Sequence, residues 1–137
     1  MRENALIIGA GLGLSASLAR LLAKNNFNVA IAARNIEKLE NLKIETNSNV
    51  FQCDASNIED VENLFIQSDK LLGPPNLVIY NPSARVRGGI AEVNPLETQK
   101  AINITCFGAF LCAQQAATRM LKRGSGSIFF TGASAGV

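Results

Sequence analysis

Short apolar runs alternate along the chain with stretches in which apolar residues recur every three or four positions. A run of four or five apolar residues is typical of a buried strand, whereas the longer period indicates an amphipathic helix. The predicted strands are residues 5–8, 29–33, 50–53, 77–80 and 127–131. The predicted helices are residues 14–24, 34–42, the stretch from 57 to a stop at 73–75, and 97–123.

The apolar positions of each predicted helix form a stripe, which we expect to pack against the sheet. The stripe of the third helix includes Leu64, Phe65 and Leu71. The stripe of the first helix contains Leu14, Leu18, Leu21 and Leu22. The stripe of the last helix contains Ile102, Cys106, Ala109, Phe110, Ala113, Ala117, Met120 and Leu121.

Strict alternation of strands and helices predicts an α/β fold with a parallel sheet, because the crossover connections are right-handed. We expect a doubly wound sheet of five strands in the order 3-2-1-4-5, with the chain reversing direction at the third connection. Ligands bind such sheets at the carboxyl ends of the strands, beside the reversal point. The segments 9–15, 34, 54 and 81–84 should therefore meet in one crevice.

The composition of the chain argues against several classes of functional site. The chain has 137 residues, enough for one domain, and its net charge of +2 does not favour nucleic acid or an acidic membrane surface. It contains no histidine, which argues against a zinc site or a histidine-based triad. We interpret the three cysteines as reduced, packed thiols. No apolar run reaches the length of a membrane span and no signal peptide is evident, so we expect a cytoplasmic protein.

Three glycines follow the first predicted strand and precede the first predicted helix. Gly9, Gly11 and Gly13 permit a tight turn and a close approach of backbone to a ligand. The helix start adds free N–H groups and the positive end of its dipole, which together favour a pyrophosphate. The alternative is a turn between strand and helix with no ligand. The common G-x-G-x-x-G spacing is not met, because Leu14 occupies its third glycine position.

The glycine spacing resembles the T-G-x-x-x-G-x-G pattern of the short-chain dehydrogenase/reductase family. Gly9 and Gly13 match it, while Ile8 stands at the threonine and Ser15 at the last glycine. Ser15 is small enough to cap the helix or to donate to a phosphate. The resemblance implies a Rossmann-like, NAD(P)-binding unit over 1–137, which lacks the carboxy-terminal strands and helices of the family.

Arg34 follows the second predicted strand, where a protein selective for NAD would carry Asp or Glu. A guanidinium can bind the 2′-phosphate of NADP in a bidentate way, whereas a carboxylate would repel it. We therefore expect NADP(H) as cofactor. The alternative is a solvated arginine at the start of a surface helix.

The resemblance supplies further cofactor contacts. In the family, an Asp at the position of Asp54 accepts a hydrogen bond from the adenine amino group; the alternative is a carboxylate placed on the dipole of the next helix. Tyr80-Asn81-Pro82-Ser83 falls where the family has N-N-A-G, and of these residues only Asn81 matches. The predicted cofactor-binding residues are Gly9, Gly11, Gly13, Leu14, Ser15, Arg34, Asp54, Ala55, Asn81 and Ser83.

The resemblance also implies catalysis by Asn, Ser, Tyr and Lys, with the tyrosine as general acid. The Tyr-x-x-x-Lys motif belongs after the fifth strand and does not occur in these 137 residues. Thr105 stands at the asparagine position, with Asn103 two residues away. Ala133 stands at the serine position and Ser134 next to it, so Ser134 is a candidate catalytic residue. A serine in a loop after a strand, without a catalytic role, is an equal alternative.

These observations predict an NADP-dependent oxidoreductase that transfers a hydride between NADPH and a small-molecule carbonyl or alcohol substrate. Two alternatives stay open: a non-catalytic NADP-binding module, favoured by Thr105 and Ala133, and a truncated chain without activity of its own. Arg85 and Arg87 could meet an anionic substrate, although a solvated loop explains them better. The family commonly assembles through its fourth and fifth helices, so the alanine-rich last helix points to a homo-oligomer.

Overall fold

A computed structural model describes residues 1–134 of the chain. Its five strands are β1 (Asn4–Ile8), β2 (Asn28–Ala33), β3 (Asn49–Gln52), β4 (Leu77–Tyr80) and β5 (Ser127–Phe130). Its helices are α1 (Leu14–Lys24), a 3-10 turn (Glu37–Leu39), α2 (Glu40–Thr46), α3 (Ile58–Leu72), α4 (Pro95–Ile102), a π-helical segment (Asn103–Phe107) and α5 (Gly108–Arg123).

The strands form one parallel sheet in the order β3-β2-β1-β4-β5, which confirms the predicted doubly wound topology. Ile8 lies opposite Ala32 on one side and opposite Tyr80 on the other. Tyr80 in turn lies opposite Phe130. The central strands therefore end at the same level, and the segments that follow them start from one edge of the sheet.

Both faces of the sheet are covered at the central strands β1, β2 and β4, as expected for parallel strands, whereas the edge strand β5 is largely exposed. Leu6 and Ile8 of β1 point to the face covered by α3 and α5, where they join Phe65 and Leu111 in one core. Ile7 points to the opposite face, where α1 and α2 lie. The central strands are thus buried on two sides, which explains their uninterrupted hydrophobic runs.

The predicted stripe of α1 was partly wrong. Leu14 and Leu21 are 54% and 56% exposed, whereas the residues buried against the sheet are Ser15, Ala16 and Ala19. Small side chains allow the start of α1 to approach the sheet closely, so the leucines are displaced to the rim. Leu71 at the end of α3 is also exposed, contrary to the prediction.

The helix predicted over 97–123 begins at Pro95 and contains a π-helical segment that the sequence pattern did not indicate. A π turn holds more residues than an α turn, so the buried face changes phase there. Of the predicted stripe, Met120 is buried and the three alanines are half-buried, whereas Ile102, Cys106, Phe110 and Leu121 are exposed. The residues of α5 that are buried are Gly108, Leu111, Cys112, Ala116 and Met120.

The cysteine prediction holds for two residues of three. Cys53 and Cys112 are buried free thiols, whereas Cys106, which lies in the π-helical segment, is exposed. Within residues 1–134, no cluster of His, Cys, Asp and Glu has the arrangement of a metal site. In the same range, no helix is both long enough and apolar enough to cross a membrane.

Candidate functional site

The glycine turn lies between β1 and α1 and is tied to the end of β2. The N–H groups of Gly9 and Ala10 both donate to the carbonyl of Ala32, at 2.9 and 2.8 Å. Gly9 has a φ of +81°, and a Cβ at this position would lie 2.5 Å from the backbone nitrogen of Pro82. Glycine is therefore required at position 9 for two reasons: its backbone conformation and the proximity of the chain after β4.

The turn presents a row of free backbone donors. Within the described residues, no hydrogen bond is formed by the N–H groups of 11–15. Gly13 is the N-cap of α1 and provides no side chain to cap it. A Cβ at Gly11 or Gly13 would meet no atom within 4 Å, so open space adjoins these donors. A row of free N–H groups at a helix N-terminus, beside open space, fits the pyrophosphate of a dinucleotide.

Ser15 does not cap α1, contrary to one of its predicted roles, because no side-chain hydrogen bond caps this helix. Its hydroxyl is buried and donates to the carbonyl of Gly9 at 3.1 Å. The side-chain amide of Asn81 donates to the same hydroxyl at 2.6 Å. Ser15 is therefore bonded within the protein, and Leu14 beside it is exposed at the helix start.

Asn81 joins three parts of the sheet edge. Its backbone N–H donates to the carbonyl of Ile8 at 2.9 Å. Its side-chain oxygen accepts a hydrogen bond from the hydroxyl of Thr131 at 2.7 Å, just after β5. The predicted site residue Asn81 is thus brought next to Gly9 and Ser15, although more than sixty residues separate them in sequence.

Arg34 lies at the tip of β2 with an exposed side chain. Its backbone carbonyl accepts a hydrogen bond from the side chain of Gln52 at 3.0 Å, which fixes the backbone at the start of the loop. The side chain of Arg34 lines a depression of about 480 Å³ together with Ile36, Glu37 and Gln52. Within residues 1–134, its guanidinium forms no salt bridge, so it is available to an anion.

Asp54 follows β3 and is half-buried. One of its carboxylate oxygens accepts hydrogen bonds from the backbone and the hydroxyl of Ser56, at 3.0 and 2.7 Å. The N-cap of α3 is Asn57, whose side chain accepts from the N–H of Asp60. Asp54 therefore does not cap the helix. Ala55 is buried, and Ser83 is exposed in the loop after β4.

Thr105 lies in the π-helical segment and holds the loop after β4. Its hydroxyl accepts from the N–H of Ala84 at 3.2 Å and donates to the carbonyl of Ala84 at 3.3 Å. The two bonds form a closed pair between side chain and backbone. Thr105 thereby fixes the loop that carries Ser83, Arg85 and Arg87, whose side chains are exposed.

Tyr80 is a residue of the site region whose contact was not predicted. Its hydroxyl donates to the backbone carbonyl of Ile104 in the π-helical segment. A Cβ on Gly108 would collide with this hydroxyl and would lie 2.6 Å from the carbonyl of Ala55. A glycine in the middle of a long helix was the available sign of such a close approach, since it otherwise weakens a helix.

Burial raises the pKa of the Tyr80 phenol, with smaller contributions from Cys112, Cys53 and Asp54. Tyr80 therefore stays protonated and acts as a hydrogen-bond donor between β4 and the π-helical segment. A general acid needs a pKa near the working pH, which Tyr80 does not have.

Ser134 is exposed at the end of the described chain, four residues beyond β5. Ala133 beside it is also exposed. The chain enters this segment from Thr131, whose backbone N–H donates to the carbonyl of Tyr80 at 3.1 Å. Ser134 therefore follows β5, the strand next to β4, whereas Thr105 lies in the π-helical segment that Tyr80 contacts through Ile104.

Known proteins share this arrangement. The family model of short chain dehydrogenases matches residues 3–137. An uncharacterised oxidoreductase of Staphylococcus aureus (strain USA300) is 28% identical over 127 residues, which are 90% of this chain and 55% of that protein. The chain thus spans about half the length of the curated relatives that it matches.

Solved structures superpose closely on the chain. The crystal structure of a short-chain dehydrogenase from Rhodopseudomonas palustris has a TM-score of 0.90 and 31% identity, covering 98% of this chain and 66% of that one. The F189W variant of actinorhodin polyketide ketoreductase, crystallised with NADPH, has a TM-score of 0.90 and 26% identity, covering 94% and 52%. The chain belongs to the short-chain dehydrogenase family.

Proposed function

We propose that residues 1–137 form a single NADP(H)-binding unit of an oxidoreductase that transfers a hydride between NADPH and a small-molecule carbonyl or alcohol. One observation carries the proposal. The unoccupied N–H groups of 11–15 lie at the same sheet edge as the free guanidinium of Arg34. These two groups are complementary to the two phosphate positions of NADP, its pyrophosphate and its 2′-phosphate.

The chemistry of Arg34 supports NADP over NAD. The 2′-phosphate adds negative charge on the adenosine ribose, and the tip of β2 offers a cation where an NAD-selective protein carries a carboxylate. Glu37 lies in the same depression but three residues further along the chain. The related ketoreductase crystallised with NADPH is consistent with this choice.

Asp54 contributes a carboxylate to the proposed cofactor crevice, and Asn81 lies next to the glycine turn with its side chain bonded to Ser15. Asp54 uses one carboxylate oxygen for Ser56, and we assign its other oxygen to the adenine amino group. We assign Ala55 and Ser83, which follow β3 and β4, to the walls of the same crevice. The nicotinamide, when bound, supplies the hydride, while the protein provides binding and orientation.

We assign substrate positioning to the loop after β4 and to the segment that carries Ser134. Thr105 holds that loop by its paired hydrogen bonds to Ala84. Ser134, with its exposed hydroxyl, is the candidate donor to a substrate oxygen. The single tyrosine of the sequence, Tyr80, is committed to Ile104, so we do not assign it as the general acid.

A second candidate function is a non-catalytic NADP-binding module. The observation that favours it is the state of Thr105, whose hydroxyl already forms both a donor and an acceptor bond to Ala84. Oxidation of NADPH in the presence of simple ketones and aldehydes, followed at 340 nm, separates the two. Binding of NADPH without any carbonyl-dependent turnover supports the module.

The cofactor assignment is tested by fluorescence titration with NADPH and, separately, NADH. We expect the unmodified chain to bind NADPH more tightly. Replacing Arg34→Ala removes a charge-assisted contact, so we expect the Kd for NADPH to rise about 10-fold or more and the Kd for NADH to stay the same. The control is Arg2→Ala, since Arg2 is also an exposed arginine but lies at the amino end of the sheet. Binding of neither cofactor by the folded chain would contradict the proposal.

A further inference from the structure

We propose that Ser15 and Asn81 are positioning residues that hold the glycine turn in its cofactor-binding shape and connect it to Thr131. This inference rests on the proposed NADP(H) site. It concerns side chains that do not themselves touch the cofactor, because their polar atoms are already bonded to one another.

The direction of each hydrogen bond follows from one fixed acceptor. The carbonyl of Gly9 can only accept a hydrogen bond, so the hydroxyl of Ser15 must donate its proton to it. The same hydroxyl must then accept from Asn81, which places the amide nitrogen of Asn81 on this side. The amide oxygen faces the opposite way and accepts the hydroxyl proton of Thr131. The three residues thus form a chain of bonds with a single direction, from Thr131 to Gly9.

This chain of bonds depends on Ser15, which stands at the last glycine position of the T-G-x-x-x-G-x-G pattern. A glycine at position 15 would have no hydroxyl, and both the bond to Gly9 and the bond from Asn81 would be absent. Ser15 is only 1% exposed and lies in the first turn of α1, so its hydroxyl is enclosed by the protein. The effect of this hydroxyl on a ligand therefore passes through the groups that it bonds, the Gly9 carbonyl and the Asn81 amide.

The Gly9 carbonyl matters because it belongs to the peptide group that begins the turn. Gly9 has a positive φ and rests against Pro82, so a rotation of its peptide group has little room on that side. The Ser15 hydroxyl restrains the same peptide group from the other end. Together these contacts set the direction in which the N–H groups of 11–15 point.

Thr131 extends the connection to the segment that carries Ser134. Its hydroxyl bonds to the Asn81 side chain and its backbone N–H bonds to the Tyr80 carbonyl. A single amide group therefore contacts the glycine turn with its nitrogen and the chain after β5 with its oxygen. We infer that a change at Thr131 alters NADPH binding even though Thr131 lies at the far end of the amide.

The test is a double-mutant cycle on the whole 137-residue chain with two ligands. NADPH occupies the glycine turn, whereas adenosine 2′-phosphate carries no pyrophosphate. We expect Ser15→Ala, which removes two hydrogen bonds, to raise the Kd for NADPH about 5- to 10-fold, and Thr131→Val, which removes one, to raise it about 3-fold. In the double variant, the Kd for NADPH should rise by less than the product of the two single-variant factors, because the bonds share Asn81. The Kd for adenosine 2′-phosphate should change less than about 2-fold.

Ser17→Ala is the matched control, since Ser17 is an exposed serine of the same helix turn. It should leave the Kd of both ligands unchanged. If Ser15→Ala raised the Kd for NADPH and the Kd for adenosine 2′-phosphate by equal factors, the variant would have lost structure in general, and the positioning role would be overturned. Unchanged NADPH binding in Ser15→Ala, or strictly multiplicative losses in the cycle, would overturn it as well. An unmodified chain that binds neither ligand would instead contradict the proposed function, and the inference with it.

Discussion

The glycines of one short turn have different functions at the level of single residues. Gly9 has a positive φ and no space for a side chain, because Pro82 lies against it. Gly11 and Gly13 adjoin open space and have no such backbone requirement. Gly9 is therefore required for folding, whereas the other two leave space for a ligand.

This difference predicts opposite results for two substitutions. Gly9→Ala should lower the free energy of unfolding by about 2–4 kcal/mol, from backbone strain and the collision with Pro82. Gly11→Ala should change it by less than about 0.5 kcal/mol, because nothing occupies the added space. Urea denaturation measures both. A similar loss of unfolding free energy in Gly9→Ala and Gly11→Ala would contradict the different roles of these two glycines.

The three thiols should differ in reactivity. Burial raises the pKa of the Cys53 and Cys112 thiols to about 12, with smaller contributions from nearby ionisable groups. Cys106 is exposed, so a thiol reagent such as Ellman's reagent at pH 8 should titrate one cysteine rapidly in the folded chain and three in denaturant. Cys106→Ser should abolish the rapid phase. A rapid phase that persists in Cys106→Ser would show that a buried thiol is accessible.

The same two thiols affect stability at alkaline pH. In the unfolded chain they ionise near the ordinary value of 9, whereas in the folded chain they keep their protons to about 12. The folded state binds more protons in that window, so their contribution to stability is complete below pH 9 and is lost as the pH rises toward 12. Cys53→Ala should reduce the alkaline loss of stability measured by urea denaturation. An unchanged pH dependence would contradict the pKa values.

At the scale of elements, α3 and α5 are joined by one partly buried ion pair. The Nε atom of Arg119 donates to the carboxylate of Asp69 at 2.6 Å, and the guanidinium lies 5.1 Å from the centre of the Phe65 ring. The side chains of Arg119 and Asp69 are 15% and 25% exposed. Arg20 and Glu45 form a comparable pair between α1 and α2, but both are well exposed.

We therefore predict that Arg119→Ala lowers the free energy of unfolding by about 2 kcal/mol, because it leaves the Asp69 carboxylate without its partner and removes the contact with Phe65. Arg20→Ala is the matched variant and should have a much smaller effect, since solvent screens its pair. Urea denaturation of both variants measures the difference. A larger loss for Arg20→Ala would contradict this ranking.

The strands could be predicted from sequence almost to the residue, whereas the helix faces could not. A buried parallel strand has a local sequence signature, a short run of apolar residues. The runs at 5–8 and 77–80 lie within the observed β1 and β4. The face of a helix depends on its exact periodicity, which the π-helical segment changes. That segment is associated with a contact from Tyr80, more than twenty residues earlier, and no local pattern records it.

At the scale of the whole molecule, the sheet order explains why the crevice could be predicted while its hydrogen bonds could not. Topology alone places Gly9, Arg34 and Asn81 at one edge of the sheet. The bonds from Thr131 through Asn81 to Ser15 join residues 50 and 66 positions apart, and each partner is an ordinary polar residue in sequence. Such contacts are set by the folded arrangement and have no local signature.

Binding of a dinucleotide at the carboxyl edge of the sheet can be observed residue by residue in an NMR titration of the ¹⁵N-labelled chain with NADPH. We expect the backbone amide shifts of 9–15, Arg34 and Asn81 to change. A polar depression of about 560 Å³, lined by Arg2, Arg20 and Lys24, is present at the amino end of the sheet. Shift changes confined to that depression, with the glycine turn unaffected, would contradict dinucleotide binding at the carboxyl edge.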